Sequence, residues 1–160
     1  MKQIIKGFFL AIVLLFYGCD ANRIIDENVD LDKGVWVIDQ KPNFVFEVTD
    51  TNLKYNVYFN VRNAIDYKYH NLYFSYHLLS EEGKEIATEL KEVFLFHPQT
   101  GKPLGSGLGD IFEHRVSLLE NKQFDTPGQY KLIVEQYMRT DSLYGVLSVG
   151  ARVEKDADKE

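Results

Sequence analysis

Between residues 44 and 153 the large apolar side chains recur at every second position, and no other feature limits the fold of this chain so strongly. Phe44, Phe46 and Val48 alternate with Val45, Glu47 and Thr49, and Tyr55, Val57, Phe59 and Val61 alternate with Asn56, Tyr58, Asn60 and Arg62. Successive side chains of an extended chain point to opposite faces, so this period predicts strands with one buried and one wetter face. Leu72, Phe74, Tyr76 and Leu78 repeat the pattern, as do Tyr130, Leu132, Val134, Gln136 and Met138, and Val149, Ala151 and Val153 form a last strand. Residues 86–96 read as a bent or bulged strand, because the apolar parity changes between Leu90 and Val93. Residues 110–120 fit two periods: Phe112, Val116 and Leu119 would line a helix, and Phe112, His114, Val116 and Leu118 a strand, which is the favoured reading.

Turn-forming residues separate these runs at Asp50-Thr51-Asn52, Asn63-Ala64-Ile65-Asp66, Ser80-Glu81-Glu82-Gly83, Pro98-Gln99-Thr100-Gly101 and Asp125-Thr126-Pro127-Gly128. Short strands at this spacing, without crossover helices, predict an all-β fold, an antiparallel β-sandwich of immunoglobulin-like or jelly-roll-like type.

The N-terminus follows a different logic. Lys2 and Lys6 precede an apolar run from Phe8 to Phe16, and Gly18 stands immediately before Cys19. A membrane-crossing helix needs roughly 20 apolar residues, and this run is about half that length, so it reads as an export signal. Phe16-Tyr17-Gly18-Cys19 resembles a bacterial lipobox, with Phe in place of the usual Leu. Cys19 is the chain's one cysteine. It cannot form an internal disulfide, and acylation would consume a thiol that is otherwise a liability in an oxidising compartment. The expected organisation is a lipoprotein signal peptide over 1–18, a lipid-anchored tether over 19–33, a β-sandwich over 34–154 and a charged tail over 155–160.

Removal of the signal takes away Lys2 and Lys6 but no carboxylate, which moves the formal charge from −6 to −8. A nucleic-acid partner is not expected, since phosphate binding needs an excess of cations on some face. His70 and His77 lie an odd number of positions apart on a predicted strand, so they face opposite ways. With His97 and His114 they read as structural histidines, and no metal or cofactor is expected. Gly105-Ser106-Gly107-Leu108-Gly109 lacks both the dinucleotide spacing and the Gly-Lys-Ser/Thr ending of a phosphate loop, and Asp110 would repel an anion there. It reads as a flexible connection, and Ser106 lacks a nucleophile-elbow context. Asp110 and Glu113 would point to opposite faces of a strand and read as surface charge.

Cys19-Asp20-Ala21-Asn22-Arg23, Gly34-Val35-Trp36, Phe44 to Asp50, Asn60-Val61-Arg62-Asn63 followed by Tyr67, Tyr69, Asn71 and Leu72, Gly105 to Asp110, Pro127-Gly128-Gln129-Tyr130, Glu135 to Arg139, and Gly145-Val146 to Val149-Gly150 are spread over nearly the whole chain. In that order, behind the lipobox, they resemble the GldH family of gliding-motility lipoproteins of the Bacteroidetes. The resemblance implies a part in the envelope machinery that moves these bacteria over surfaces and is associated with their type IX secretion apparatus. It supplies no catalytic residue, so the chain is not expected to be an enzyme.

The expected role is that of a structural or interaction subunit whose partners are other gliding-motility envelope proteins. The membrane is reached through the lipid on Cys19, and a small-molecule ligand is not expected. Trp36, Tyr67, Tyr69 and Tyr73 are the candidate interaction face, since exposed aromatics make hot spots at protein interfaces. A module that binds cell-envelope carbohydrate would use the same rings, and is the alternative. Ala21-Asn22-Arg23 interrupts any acidic cluster behind Cys19, and the expected location is the outer membrane, facing the periplasm.

Overall fold

The computed structural model describes residues 22–156. The signal over 1–18 and Cys19 lie outside the described residues. The described residues form eleven strands: β1 (Arg23–Asp30), β2 (Val35–Val37), β3 (Asn43–Val48), β4 (Tyr55–Ala64), β5 (Asn71–Ser80), β6 (Glu85–Phe94), β7 (Ser106–Leu108), β8 (Ile111–Lys122), β9 (Gly128–Gln136), β10 (Ser142–Tyr144) and β11 (Val146–Lys155). Their pairing is antiparallel throughout. A five-stranded sheet has the order β1-β11-β4-β8-β7, a four-stranded sheet the order β3-β9-β5-β6, and β2 pairs with β10 in a small ribbon.

Among the long strands the first pairs with the last, and each later one with the next in from the other end: β1 with β11, β3 with β9, β4 with β8, β5 with β6. A hairpin rolled up in this way is a jelly roll, which settles the two sandwich types expected from the sequence. Alternation explains why the sheets stack. Val57, Phe59 and Val61 of β4 and Val149, Ala151 and Val153 of β11 are completely buried, and they face Leu72, Phe74 and Leu78 of β5 and Leu132 and Val134 of β9. Phe59 and Phe74 meet across the core with ring centroids 4.3 Å apart. At one end Phe124 packs edge-on against Tyr55 at 5.5 Å and lies 4.4 Å from Tyr130, closing the core there.

At the other end the β2–β10 ribbon is the lid. Trp36 faces inward opposite Leu143 with no exposed surface, and its Nε1–H donates to the Gln40 carbonyl at 2.9 Å. Tyr67, from the β4–β5 connection, is buried beside the ribbon. Its hydroxyl donates to the Asn71 carbonyl at 2.9 Å. Gly145 crosses Tyr67 so closely that a Cβ would stand 2.8 Å from the Tyr67 Cα, and its φ of +84° also requires glycine.

Several expectations are corrected. The stretch 19–33 is not a free tether, because β1 zips along β11 from Arg23 to Asp30, with Val29 opposite Val149. The sandwich therefore starts at residue 23 rather than 34. The charged tail is also folded at its start, since β11 runs through Lys155 and the Lys155 and Asp156 amides donate to the Asn22 and Lys54 carbonyls at 2.8 Å. Residues 157–160 lie outside the described residues.

In residues 86–96 the backbone does bulge, but at Ile86, between the Ala87 and Glu85 pairings, whereas register is regular through Leu90 and Val93. The parity change arises because Leu90 faces outward. Residues 110–120 are strand, within β8. The glycine run is a tight hairpin rather than a loose link: β7 pairs with Ile111, Phe112 and Glu113, and Cβ atoms at Gly105 and Gly107 would collide with the backbone of Glu113 and Ile111.

Candidate interaction site

The two sheets present different outer faces. On the first, polar side chains satisfy one another. Arg152 donates to Asp26 at 2.9 Å and to Glu154 at 2.6 Å, and Asn60 bridges Asp26 and Arg115 at 3.3 Å each. Arg115 in turn lies 5.9 Å over the Tyr58 ring. On the second, the outer surface near the lid end is apolar and concave. A cleft of about 770 Å³ lies there between the β4–β5 connection, the outward faces of β5 and β6, and the chain leaving β9.

Its floor is built from alternation in reverse. Outward positions of β5 and β6 would ordinarily be polar, yet Tyr73 and Leu90 occupy them, with Leu90 53% exposed. Tyr69 forms one wall and rests edge-on against the buried Tyr67 at 5.8 Å. Ile38, just beyond β2, and Tyr137, Met138 and Arg139, just beyond β9, complete the lining. Tyr137 is 62% exposed.

The wall after β9 is held by Gln136, a polar side chain in the inward series of that strand and almost fully buried. Its Oε1 accepts from the Met138 amide at 2.8 Å, and its Nε2 donates to the Thr140 carbonyl at 2.8 Å. The Tyr137 amide donates to the Tyr73 carbonyl at 2.8 Å, which ties the wall to β5. At the rim Glu92 accepts from Asn71 at 2.6 Å, and a hydrogen bond to Glu92 holds the Tyr73 hydroxyl above the usual tyrosine pKa. The cleft is thus apolar and tyrosine-rimmed, with one cation, Arg139, and its Gln136 amide already engaged.

Of the predicted face, the structure brings Tyr69 and Tyr73 together in this cleft. Trp36 and Tyr67 are corrected: both are buried, the first as the core of the lid and the second as the support behind Tyr69. Burial pushes the Tyr67 hydroxyl pKa up. Ile38, Leu90, Gln136, Tyr137, Met138 and Arg139 were missed. The parity break at Leu90 and the polar Gln136 in an apolar series were the signals that pointed to them.

The histidines are dispersed. His70 stacks on Phe94 at 5.9 Å, and His77 sits 2.8 Å from Glu85. His97 Nδ1 accepts from the Gln99 and Thr100 amides at 3.2 and 3.3 Å. His114 is buried beside Gly105, and burial lowers its pKa. Glu113 pairs with Arg62 at 3.4 Å, while Asp110 lies in the β7–β8 turn. No group of three or more His, Cys, Asp or Glu that could hold a metal occurs among the described residues.

The chain is thus a jelly-roll domain with an open, tyrosine-rimmed apolar cleft at one end. The chain belongs to the GldH lipoprotein family, whose model matches residues 23–153. It is 34% identical over 154 residues to the gliding motility lipoprotein GldH homolog of Christiangramia forsetii, covering 92% of this chain and 93% of that one. It is 28% identical over 157 residues to the gliding motility lipoprotein GldH of Flavobacterium johnsoniae, covering 94% and 96%. As a member of this family it is a lipid-anchored protein of the cell envelope. Among solved structures, the infectious bursal disease virus VP2 subviral particle aligns at 11% identity with a TM-score of 0.41, over 88% of this chain and 35% of that one. The latent PorU dimer of Porphyromonas gingivalis aligns at 10% identity with a TM-score of 0.37, over 85% and 13%. Neither likeness is close enough to carry an argument.

Proposed function

We propose that this lipoprotein is a non-catalytic subunit of the gliding-motility machinery, associated with the type IX secretion apparatus. A lipid on Cys19 holds it to the outer membrane on the periplasmic side, and the cleft docks another envelope protein of that machinery. The carrying observation is the cleft's make-up: Tyr69, Tyr73, Tyr137, Met138 and Arg139 are the residue types enriched in interface cores, gathered in one concavity. A sugar would need hydrogen-bonding groups around its ring as well as a stacking surface. The Gln136 amide is already committed to the backbone, which favours a protein partner over a glycan.

The test places photo-crosslinking residues at Tyr69 and Tyr137, with Arg62 on the opposite sheet as control, in gliding cells. One crosslinked partner from the cleft positions, lost when the other cleft tyrosine is changed to alanine, supports the reading. Equal yields from Arg62, or shifts of cleft resonances with envelope oligosaccharides alone, would refute it. Cys19→Ser tests the anchor, and membrane fractionation of an unchanged amount of protein would remove it. Protease shaving of intact cells separates periplasmic from surface exposure.

A further inference from the structure

We infer that the end of the sandwich opposite the cleft lies directly on anionic phospholipid headgroups, so that the cleft is presented at a fixed height above the membrane. The inference rests on the lipid anchor at Cys19 proposed above. Its starting point is the missing tether. A free segment over 19–33 would let the domain roam, whereas β1 is already paired with β11 at Arg23. From Cys19 to Arg23 the chain can span at most about 14 Å. The lower ends of the strands are therefore held at the bilayer surface.

Those ends carry a row of cations. Arg23 stands opposite Glu154 on β1 and β11, Lys155 opposite Tyr55 on β11 and β4, and Tyr55 opposite Lys122 on β4 and β8, with Lys54 just before Tyr55. The four neighbouring strand ends span roughly 14 Å at the usual strand spacing. Arg23 is exposed, and Lys54, Lys122 and Lys155 are partly exposed. Of the acidic residues at the same end, Glu81 and Glu82 lie in the β5–β6 turn of the second sheet, Asp50 and Asp125 lie in turns that join the two sheets, and Glu154 is engaged by Arg152. Glu120 of β8 and Asp156 just beyond β11 stand beside the cations, so that the first sheet's end sets four cations against these two carboxylates. The cationic lip therefore belongs to the first sheet, next to the anchor. Headgroup phosphates attract such residues within a Debye length.

The other end has the opposite character. Leu108 at the β7–β8 hairpin tip is 95% exposed, and Ile65 after β4, Ile38, Tyr69 and Tyr137 of the cleft, and Tyr144 of the lid ribbon are exposed as well. β4 runs from the cationic end to the apolar end over 10 residues, a separation of roughly 30 Å. An anchor at one end and docking chemistry at the other would hold the cleft open to a partner above the membrane plane.

The experiment uses the full lipidated chain on vesicles containing phosphatidylglycerol. Nitroxides are placed at Asn52→Cys, in the β3–β4 turn, or at Asp66→Cys, in the β4–β5 connection. Flotation is measured first, and failure to float overturns the anchor and this inference together. For protein that floats, the Asn52 label should collide with a lipid-phase relaxant several-fold more than the Asp66 label. That difference should shrink in pure phosphatidylcholine, in high salt, and in Lys54→Glu/Lys122→Glu/Lys155→Glu, each removed cation shifting the docked fraction roughly five-fold. Equal collision at both ends, more at Asp66, or a difference indifferent to lipid charge and salt would overturn the orientation while leaving the anchor in place.

Discussion

Replacing Gln136 by leucine separates the support of the cleft from its surface. The Gln136 amide makes two hydrogen bonds at 2.8 Å, one from the Met138 amide and one to the Thr140 carbonyl. Leucine fits the apolar surroundings but leaves both backbone groups without that partner. An unsatisfied buried polar group costs about 1–3 kcal/mol, and these two are only partly buried, so the expected destabilisation is about 2–4 kcal/mol. Tyr137→Ala removes a side chain that is 62% exposed and should change stability by no more than about 0.5 kcal/mol. Trp36, the one tryptophan and completely buried, reports unfolding in urea on the detergent-solubilised chain. Both substitutions should weaken capture of the docked protein. Tyr137→Ala should do so by about 30-fold, as expected of a central interface residue, without lowering the urea midpoint. If Gln136→Leu costs under 1 kcal/mol, the amide does not hold the wall. If Tyr137→Ala unfolds the protein, the cleft is core rather than surface.

The remaining predictions concern the lid and the titrating groups. Gly145→Ala should destabilise by about 2–4 kcal/mol, because it combines a positive φ with a Cβ pressed on Tyr67, and urea unfolding reads it directly. His114 is held below its ordinary pKa of 6.5 by burial, so the unfolded chain takes up its proton first. Stability should therefore fall as pH drops below 6.5, and His114→Phe should flatten that part of the profile measured by thermal melts. Tyr67 is shifted the other way, above its ordinary value of 10.0. The unfolded chain loses that proton first, so stability should fall as pH rises past 10, and less steeply in Tyr67→Phe.

How far the sequence could be read depended on whether a residue's surroundings were local. Phe59 and Phe74 were legible as core because their strands alternate strictly, and alternation is a property of each strand by itself. The β1 strand was hidden, because an edge strand needs little apolar content and Asp26, Glu27 and Asp30 made it look like a linker. Trp36 and Tyr67 were placed on the surface because composition cannot say whether an aromatic plugs an end of the sandwich or faces a partner. That choice is made by Leu143 and Gly145, far away in sequence. Tyr69 and Tyr73 were placed at the surface, where they lie, but the cleft around them was not legible, since Ile38, Leu90 and Tyr137 converge only through the sheet order.

That sheet order also limits how a partner could engage the cleft. β6 is an edge of the second sheet, and an unpaired edge next to a sticky surface invites an added strand. Yet Glu89 and Lys91 stand opposite Tyr76 and Phe74, on the core-facing side of β6, and pair with each other at 3.4 Å. A strand docked beyond β6 would have to cover these charges, which costs more than its backbone hydrogen bonds return. The proposed docking is then through side chains in the cleft rather than by strand addition. Leu90→Lys, on the outward face, should abolish it with little effect on folding, whereas Lys91→Leu should leave it intact and make the isolated protein prone to edge-to-edge aggregation, measurable by light scattering. Loss of docking in Lys91→Leu without aggregation would show that the edge itself carries the contact.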